Sequence, residues 1–151
     1  MADSSRTTPY GAFNYLVEIG GDDFGGFSDV SGLTTEVTVA EYRTGIDPEH
    51  HVRKVPGMHK QGDVTFKRGI VDSAKLWLWI QAVRKEGISA QRSVVITLRS
   101  ETHEKVQAWV LPGAIPLKYT GPTLTGKGGA DVAMEEIVVS AQKLELAGVT
   151  S

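Results

Sequence analysis

The sequence predicts a mainly β fold, an antiparallel β-sandwich or barrel with one covering α-helix, on three observations. Seventeen glycines and six prolines cut the 151 residues into short pieces. Most of those pieces alternate apolar with polar side chains, the period of a half-buried strand. One stretch, Ser73 to Glu86, instead repeats its apolar residues at helical spacing.

The elements follow in order. Phe13 to Ile19 places Phe13, Tyr15, Val17 and Ile19 on one face, and Gly20 to Asp23 turns the chain. Phe24 to Val30 reads as a weaker strand, interrupted by Gly25 and Gly26, and Gly32 marks the next turn. Glu36 to Arg43 alternates again. Thr44 to Gly62 is polar and holds Gly45, Pro48, Pro56 and Gly57, so it reads as a long loop. A loop of that length in a compact domain is uncommon and usually serves a function or a partner. Asp63 to Arg68 resumes as a strand.

In the helix, Leu76, Trp79, Ile80 and Val83 form the apolar stripe, with Trp77 beside it. Asp72 or Ser73 suits the N-cap, Arg84 and Lys85 suit the C-terminal dipole, and Gly87 ends the element. Ser93 to Arg99, Lys105 to Leu111 and Ile115 to Tyr119 read as strands, with a hairpin turn at Thr102 to Glu104. Gly121 to Asp131 is a loop. Val132 to Leu146 is too long for an ordinary strand and is expected to bend, bulge or pass from one partner to another. The total is about eight strands and one helix.

Length gives one domain over residues 1–151, large enough to bury a core without staples. Sixteen basic against eighteen acidic residues leave a net charge of −2. That balance argues against a dedicated nucleic-acid binder, which needs a basic excess or a basic face. With no cysteine, disulfides, thiolate catalysis and zinc–thiolate sites are excluded. Met1 to Pro9 lacks the basic start and apolar run of a secretory signal, and no eighteen consecutive residues are apolar. Membrane insertion by the monomer is therefore not expected.

No catalytic, cofactor or metal site is expected either. Gly121 to Lys127 (G-P-T-L-T-G-K) approaches the phosphate-loop pattern, but Gly128 stands where a hydroxyl should bind magnesium, and no helix follows to hold phosphate. His50 and His51 follow Asp47 and Glu49, but adjacent strand residues point to opposite faces; His59 and His103 are isolated. Trp77, Trp79 and Trp109 read as packing residues rather than a stacking platform. Lys54, Lys60, Lys67 and Arg68 form a loose basic cluster that fits either a solvated surface or a charged contact with a neighbouring subunit.

Seven segments, in order, resemble the tube proteins of contractile phage tails and related injection systems. They are P-Y-G-A-F-N-Y-L-V-E-I (Pro9 to Ile19), G-G-F-S-D-V-S-G-L (Gly25 to Leu33) and E-Y-R-T-G (Glu41 to Gly45). R-K-V-P-G-M-H-K-Q-G-D-V-T-F-K-R-G-I (Arg53 to Ile70) and L-W-L-W (Leu76 to Trp79) follow. The last two are W-V-L-P-G-A-I-P-L-K-Y-T-G-P (Trp109 to Pro122) and M-E-E-I-V-V-S-A-Q-K-L-E-L (Met134 to Leu146). Within that group the sequence is most similar to extracellular contractile injection systems such as the antifeeding prophage and insecticidal virulence cassettes.

The resemblance implies an Hcp-like tail-tube fold and homo-hexameric rings stacked head to tail. It also implies a contractile sheath, baseplate, spike and cap proteins as partners, and a lumen carrying protein effectors or DNA. Such a subunit is assembled in the bacterial cytoplasm and forms part of a phage tail-like particle that can be released. Thr44 to Gly62 then becomes an arm reaching a neighbour. Phe27, Glu41, Tyr42, Arg43, Pro56, Gly57, Lys67, Trp77 and Trp109 match the shared segments. Glu41, Tyr42, Arg43, Pro56, Gly57 and Lys67 are the expected inter-subunit contacts. The rival readings are a phage tail tube conducting DNA, a type VI secretion ring protein, and a small enzyme or monomeric carbohydrate-binding β-sandwich.

Overall fold

A computed structural model describes residues 7–24, 26–42, 45, 53–70, 73–128 and 132–148. The chain runs β1 (Tyr15–Ile19), β2 (Asp22–Asp23), β3 (Asp29–Ser31), β4 (Thr35–Tyr42), β5 (Arg53–Gln61) and β6 (Val64–Gly69). Helix α1 (Ala74–Glu86) and a 3-10 turn (Gly87–Ala90) follow, then β7 (Arg92–Arg99), β8 (Lys105–Thr120), β9 (Met134–Ser140) and β10 (Glu145–Leu146). The strands pair antiparallel in the order β2-β1-β7-β8-β9-β6-β3, with β10 also on β8, while among the described residues β4 and β5 pair only with each other. The mainly β architecture with one helix is as the sequence predicts.

The sixteen-residue β8 makes the sheet fold over on itself. Its first part pairs with β7 and its last part, Ile115 to Thr120, with β9. One extra residue bulges out near Pro112 and Gly113, and another near Leu117. Gly113 has φ 61°, and a Cβ there would lie 2.8 Å from the Gln142 side chain. The two strands expected on either side of Pro112–Gly113 are therefore one strand with a bulge.

The expected long C-terminal strand is split instead. β9 lies between β6 and β8, the chain leaves the ladder over 141–144, and β10 rejoins β8 at Val110 and Trp109. Gln142 N–H still donates to the Pro112 carbonyl (3.3 Å), so the interruption faces the bulge in β8.

Period-2 alternation sends Val17 and Ile19, Val64 and Phe66, Val94 and Ile96, and Ile137 and Val139 into a single core. Leu76 and Trp79 of α1 close it, with Ile80 and Val83 packed alongside. Trp79 Nε1–H donates to the Ala90 carbonyl (3.1 Å), which ties the helix to the turn after it. Phe24 and Phe27 also enter the core, but from irregular chain; the strand expected over Phe24 to Val30 is confined to Asp29–Ser31. Phe13 lies before β1 and is exposed, so the inward face of β1 begins at Tyr15.

Candidate functional site

The segment 44–62, expected to be a long loop, is in part a strand. Residues 53–61 of it are strand β5, paired with β4 from Thr35↔Gln61 to Tyr42↔Arg53. Arg43, Thr44, His50 and His51 lie outside the described residues. Together β4 and β5 make a hairpin whose residues are exposed on both faces, apart from the half-buried Gln61 at its root. An isolated two-stranded hairpin is marginal in water. This one projects from the body as an arm.

The pattern of β4 supplies the strand. Thr35, Val37, Thr38, Val39 and Tyr42 are β-branched or aromatic. Glu36 stands opposite Lys60 and Glu41 opposite Lys54, so opposite charges mark the register at two points. Two residues of β5, Gly57 and Met58, face Thr38 in a bulge. A Cβ on Gly57 would come within 2.9 Å of the Thr38 carbonyl oxygen, so the close approach requires glycine. Pro56 precedes the bulge, a position where a strand tolerates proline.

The arm leaves the body through a tight neck. Gly32, with φ 90°, lies so near Asp63 that a Cβ would stand 2.2 Å from its carbonyl oxygen. Thr34 N–H donates to the Gly32 carbonyl (2.7 Å) and Gly62 N–H to the Thr34 carbonyl (3.1 Å). Gln61 Oε1 accepts from Leu144 N–H (3.1 Å), tying the root of the arm to the chain between β9 and β10. These contacts set the direction in which the arm points.

Of the expected contact residues, Glu41, Tyr42, Pro56 and Gly57 share the arm. Lys67 does not. It sits on β6 of the body, 3.7 Å from Glu136. The loose basic cluster is likewise dispersed: Lys54 and Lys60 lie on the arm opposite glutamates, and Arg68 is buried.

Arg68 belongs to a polar group that sequence reasoning missed. Its Nε donates to Glu135 Oε1 (2.6 Å) and its NH1 to the Phe24 carbonyl (2.8 Å), while its guanidinium lies 5.1 Å from the Phe27 ring centroid. Glu135 Oε2 accepts from Ser73 Oγ (2.5 Å) and from Tyr119 Oη (2.8 Å). Burial alone would raise the Glu135 carboxyl. The hydrogen bonds from Ser73, Arg68 and Tyr119, with the Arg68 charge, outweigh it and hold the carboxyl below its usual range. Burial, then the bond to Glu135, raises the Tyr119 phenol. Ser73, expected as an N-cap, makes no capping bond because its hydroxyl is spent on Glu135. The hydrogen bonds of Arg68, Ser73 and Tyr119 converge on the one Glu135 carboxylate, so the cluster braces the strands and the helix entry it joins.

A signal was present for this brace. In M-E-E-I-V-V-S, Glu135 has the same parity as Ile137 and Val139, and Arg68 has the parity of Val64 and Phe66. A charge on each apolar face, with the strands paired, points to a buried ion pair.

The aromatic residues divide. Trp79 is core, whereas Trp77 is partly exposed and packs on Tyr119 (centroids 5.1 Å apart) with the Arg84 guanidinium 5.7 Å from its ring centroid. A cavity of about 300 Å³ lies beside them between α1 and β8. A second, of about 400 Å³, lies between Lys67, Thr120, Pro122 and Glu136. Among the described residues, no group of three His, Asp or Glu is disposed to hold a metal.

A family model described as "T4-like virus tail tube protein gp19" matches residues 11–145. No curated protein matches the sequence. Among solved structures, the chain is similar to one from the sheath–tube complex of the PVC extracellular contractile injection system in its extended state. That pair has 23% identity and a TM-score of 0.82, covering 99% of this chain and 100% of the other. A chain from the six-fold symmetrised baseplate of the anti-feeding prophage gives 22% identity and a TM-score of 0.80, covering 97% and 100%. Hcp1 from Flavobacterium johnsoniae gives 14% identity and a TM-score of 0.54, covering 91% and 97%.

Proposed function

Since the chain belongs to the T4-like virus tail tube protein gp19 family, we propose that it is the inner-tube subunit of a contractile injection particle, structural rather than catalytic, and that it assembles through the β4–β5 arm. Six copies form a ring, and rings stack head to tail. A contractile sheath drives the tube, a baseplate with its spike and a cap close its ends, and protein cargo travels in the lumen. Assembly takes place in the bacterial cytoplasm, and the tube leaves the cell as part of the particle.

The observation that carries this reading is the arm itself. A hairpin exposed on both faces, yet aimed by a glycine neck, has little reason to exist in a monomer. Head-to-tail contacts generate closed rings or filaments, and an arm that reaches a neighbour makes such contacts. Structural relatives lie in a sheath–tube complex, a tube-terminating cap and a baseplate, which supports the same set of partners here. The family's viral description favours one second reading, a phage tail tube conducting DNA.

The test is electron microscopy of the purified protein at high concentration, alone and with its baseplate partners. Six-fold rings or stacked tubes are expected. A monomer under both conditions would overturn the tube reading, and glycan binding by that monomer would favour a carbohydrate module. Rings formed equally well after replacement of residues 36–60 by a short Gly-Ser turn would overturn the role of the arm.

A further inference from the structure

The two cavities on the body differ in charge. The larger, of about 400 Å³, is lined by Lys67 together with Glu135 and Glu136, so acids answer its cation. The smaller, of about 300 Å³ between α1 and β8, has Arg84 and Lys118 in its lining and no acidic residue. Among the described residues, neither of these cations is ion-paired with a carboxylate.

Both elements build its walls. Trp77, Ile80 and Arg84 recur at helical spacing on one face of α1. Across from them, four successive residues of β8, Pro116 to Tyr119, border the same space. A regular strand sends neighbours to opposite faces. The bulge at Leu117 breaks that alternation, since Pro116 pairs with Val139 and Lys118 with Val138, and bulges of this kind re-aim side chains. Trp77 packs on Tyr119 with the ring planes 55° apart, and Tyr119 Oη is fixed on Glu135. The aromatic wall is therefore held in place before anything binds. Trp77 stays 37% exposed and Leu117 53% exposed, so open apolar surface lies beside two cations that no acid neutralises.

We propose that this cavity binds a small aromatic anion: a carboxylate or sulfonate on a flat body of one or two rings. The rings lie against Trp77 and Leu117, and the anionic head sits between Arg84 and Lys118. The size fits, because ligand cavities begin at about 300 Å³ and an apolar cavity of about 150 Å³ already holds benzene. The make-up fits as well, since small-molecule sites combine apolar and aromatic walls with a few polar groups that fix orientation. A cationic ligand would meet like charge at Arg84 and Lys118, and a sugar would leave the apolar wall without a matching surface. The cavity belongs to the body, so the proposal does not rest on the role of the arm.

The test titrates the folded full chain with naphthoate and with naphthamide, its uncharged counterpart, by calorimetry and by the indole N–H signals in NMR. Saturable binding of naphthoate is expected, with naphthamide weaker by about threefold or more, the loss that follows from removing one charge near a protein surface. Arg84→Gln and Lys118→Gln should each bring naphthoate towards the affinity of naphthamide and leave naphthamide unchanged. Both side chains are exposed, so neither change threatens the fold. Lys85→Gln, on the same helix but outside the cavity, should alter neither ligand. Trp77→Ala, with folding checked by circular dichroism, should weaken both ligands about tenfold. Equal binding of the two ligands, or charge variants that leave naphthoate unaffected, would reduce the contact to an adventitious apolar one and overturn the proposal. So would the lack of saturable naphthoate binding in the millimolar range.

Discussion

Arg68 and Glu135 face each other across the β6–β9 pair, with Nε 2.6 Å from Oε1 and the two side chains 11% and 2% exposed. Ser73 at the entry to α1 and Tyr119 near the end of β8 bond the second oxygen of the same carboxylate. One buried charge therefore braces two strands of the sheet, a third strand and the helix. Desolvation makes such a pair costly to bury, and once buried, costly to break from one side.

Glu135→Gln is expected to destabilise the monomer by roughly 3 kcal/mol at neutral pH, because it leaves the Arg68 charge buried without its counter-ion. The pH dependence has a definite sign. The Glu135 carboxyl is held below its unfolded value, so its contribution is present above the ordinary carboxylate range and is lost as pH falls through the lower folded value. Denaturant unfolding of wild type and variant should differ most at neutral pH and converge in acid. A gap that widens in acid would show that the carboxylate does not brace the fold.

Gly32→Ala tests the neck. The backbone there has φ 90°, and the new Cβ would stand 2.2 Å from a main-chain oxygen that has no freedom to rotate away. A positive φ at alanine alone costs of order 1 kcal/mol or more, and the clash must be relieved by moving the chain at Asp63. The monomer should remain folded with a lowered melting temperature, and tube formation should fall far more than that loss of stability explains. Assembly at wild-type level would show that the direction of the arm is not set at Gly32.

The parts of this molecule written in local pattern were legible in its sequence. The alternation of Val17 with Ile19 and of Ile137 with Val139, and the stripe from Leu76 to Val83, locate the core and the helix. What the sequence concealed depends on pairing. Arg53 to Gln61 holds a proline, a glycine and four basic or histidine side chains, which reads as a loop. It is a strand because β4 lies beside it with glutamates opposite two of its lysines. Pro112–Gly113 reads as a break but is a bulge, since β7 and the interrupted chain near Gln142 hold β8 from both sides. Glu135 shares the parity of Ile137 and Val139, but the partner that justifies burying it lies 67 residues away in sequence, so its pairing is not written in the local pattern.

Trp79→Phe tests how α1 is held. The indole is fully buried, and its N–H satisfies the Ala90 carbonyl where the 3-10 turn leads into β7. Phenylalanine keeps most of the apolar area but leaves a void and an unpaired buried carbonyl, at about 2 kcal/mol or more. A chain of this size should lose about 5 °C or more in melting temperature. The neighbouring Trp77→Phe, at a partly exposed site, should cost clearly less. Equal losses would contradict the division between a core and a surface tryptophan.

The arm should be the part of the chain whose stability changes most on assembly. Among the described residues its strands form ladder pairs only with each other, and apart from Gln61 at the root its residues are exposed. Local opening then costs little, so amide hydrogens of residues 35–42 and 53–61 should exchange within seconds to minutes while those of β7 and β8 stay protected. The opposed pairs Glu36–Lys60 and Glu41–Lys54 add only about 0.2–1 kcal/mol each, too little to hold a free hairpin closed. In tubes, neighbours exclude water from the arm, and its amides should approach the protection of the core strands. Hydrogen–deuterium exchange on matched monomer and tube samples reads both states. Protection of the arm already complete in the monomer would mean that it is stabilised from within, and unchanged rapid exchange in tubes would mean that no neighbour covers it.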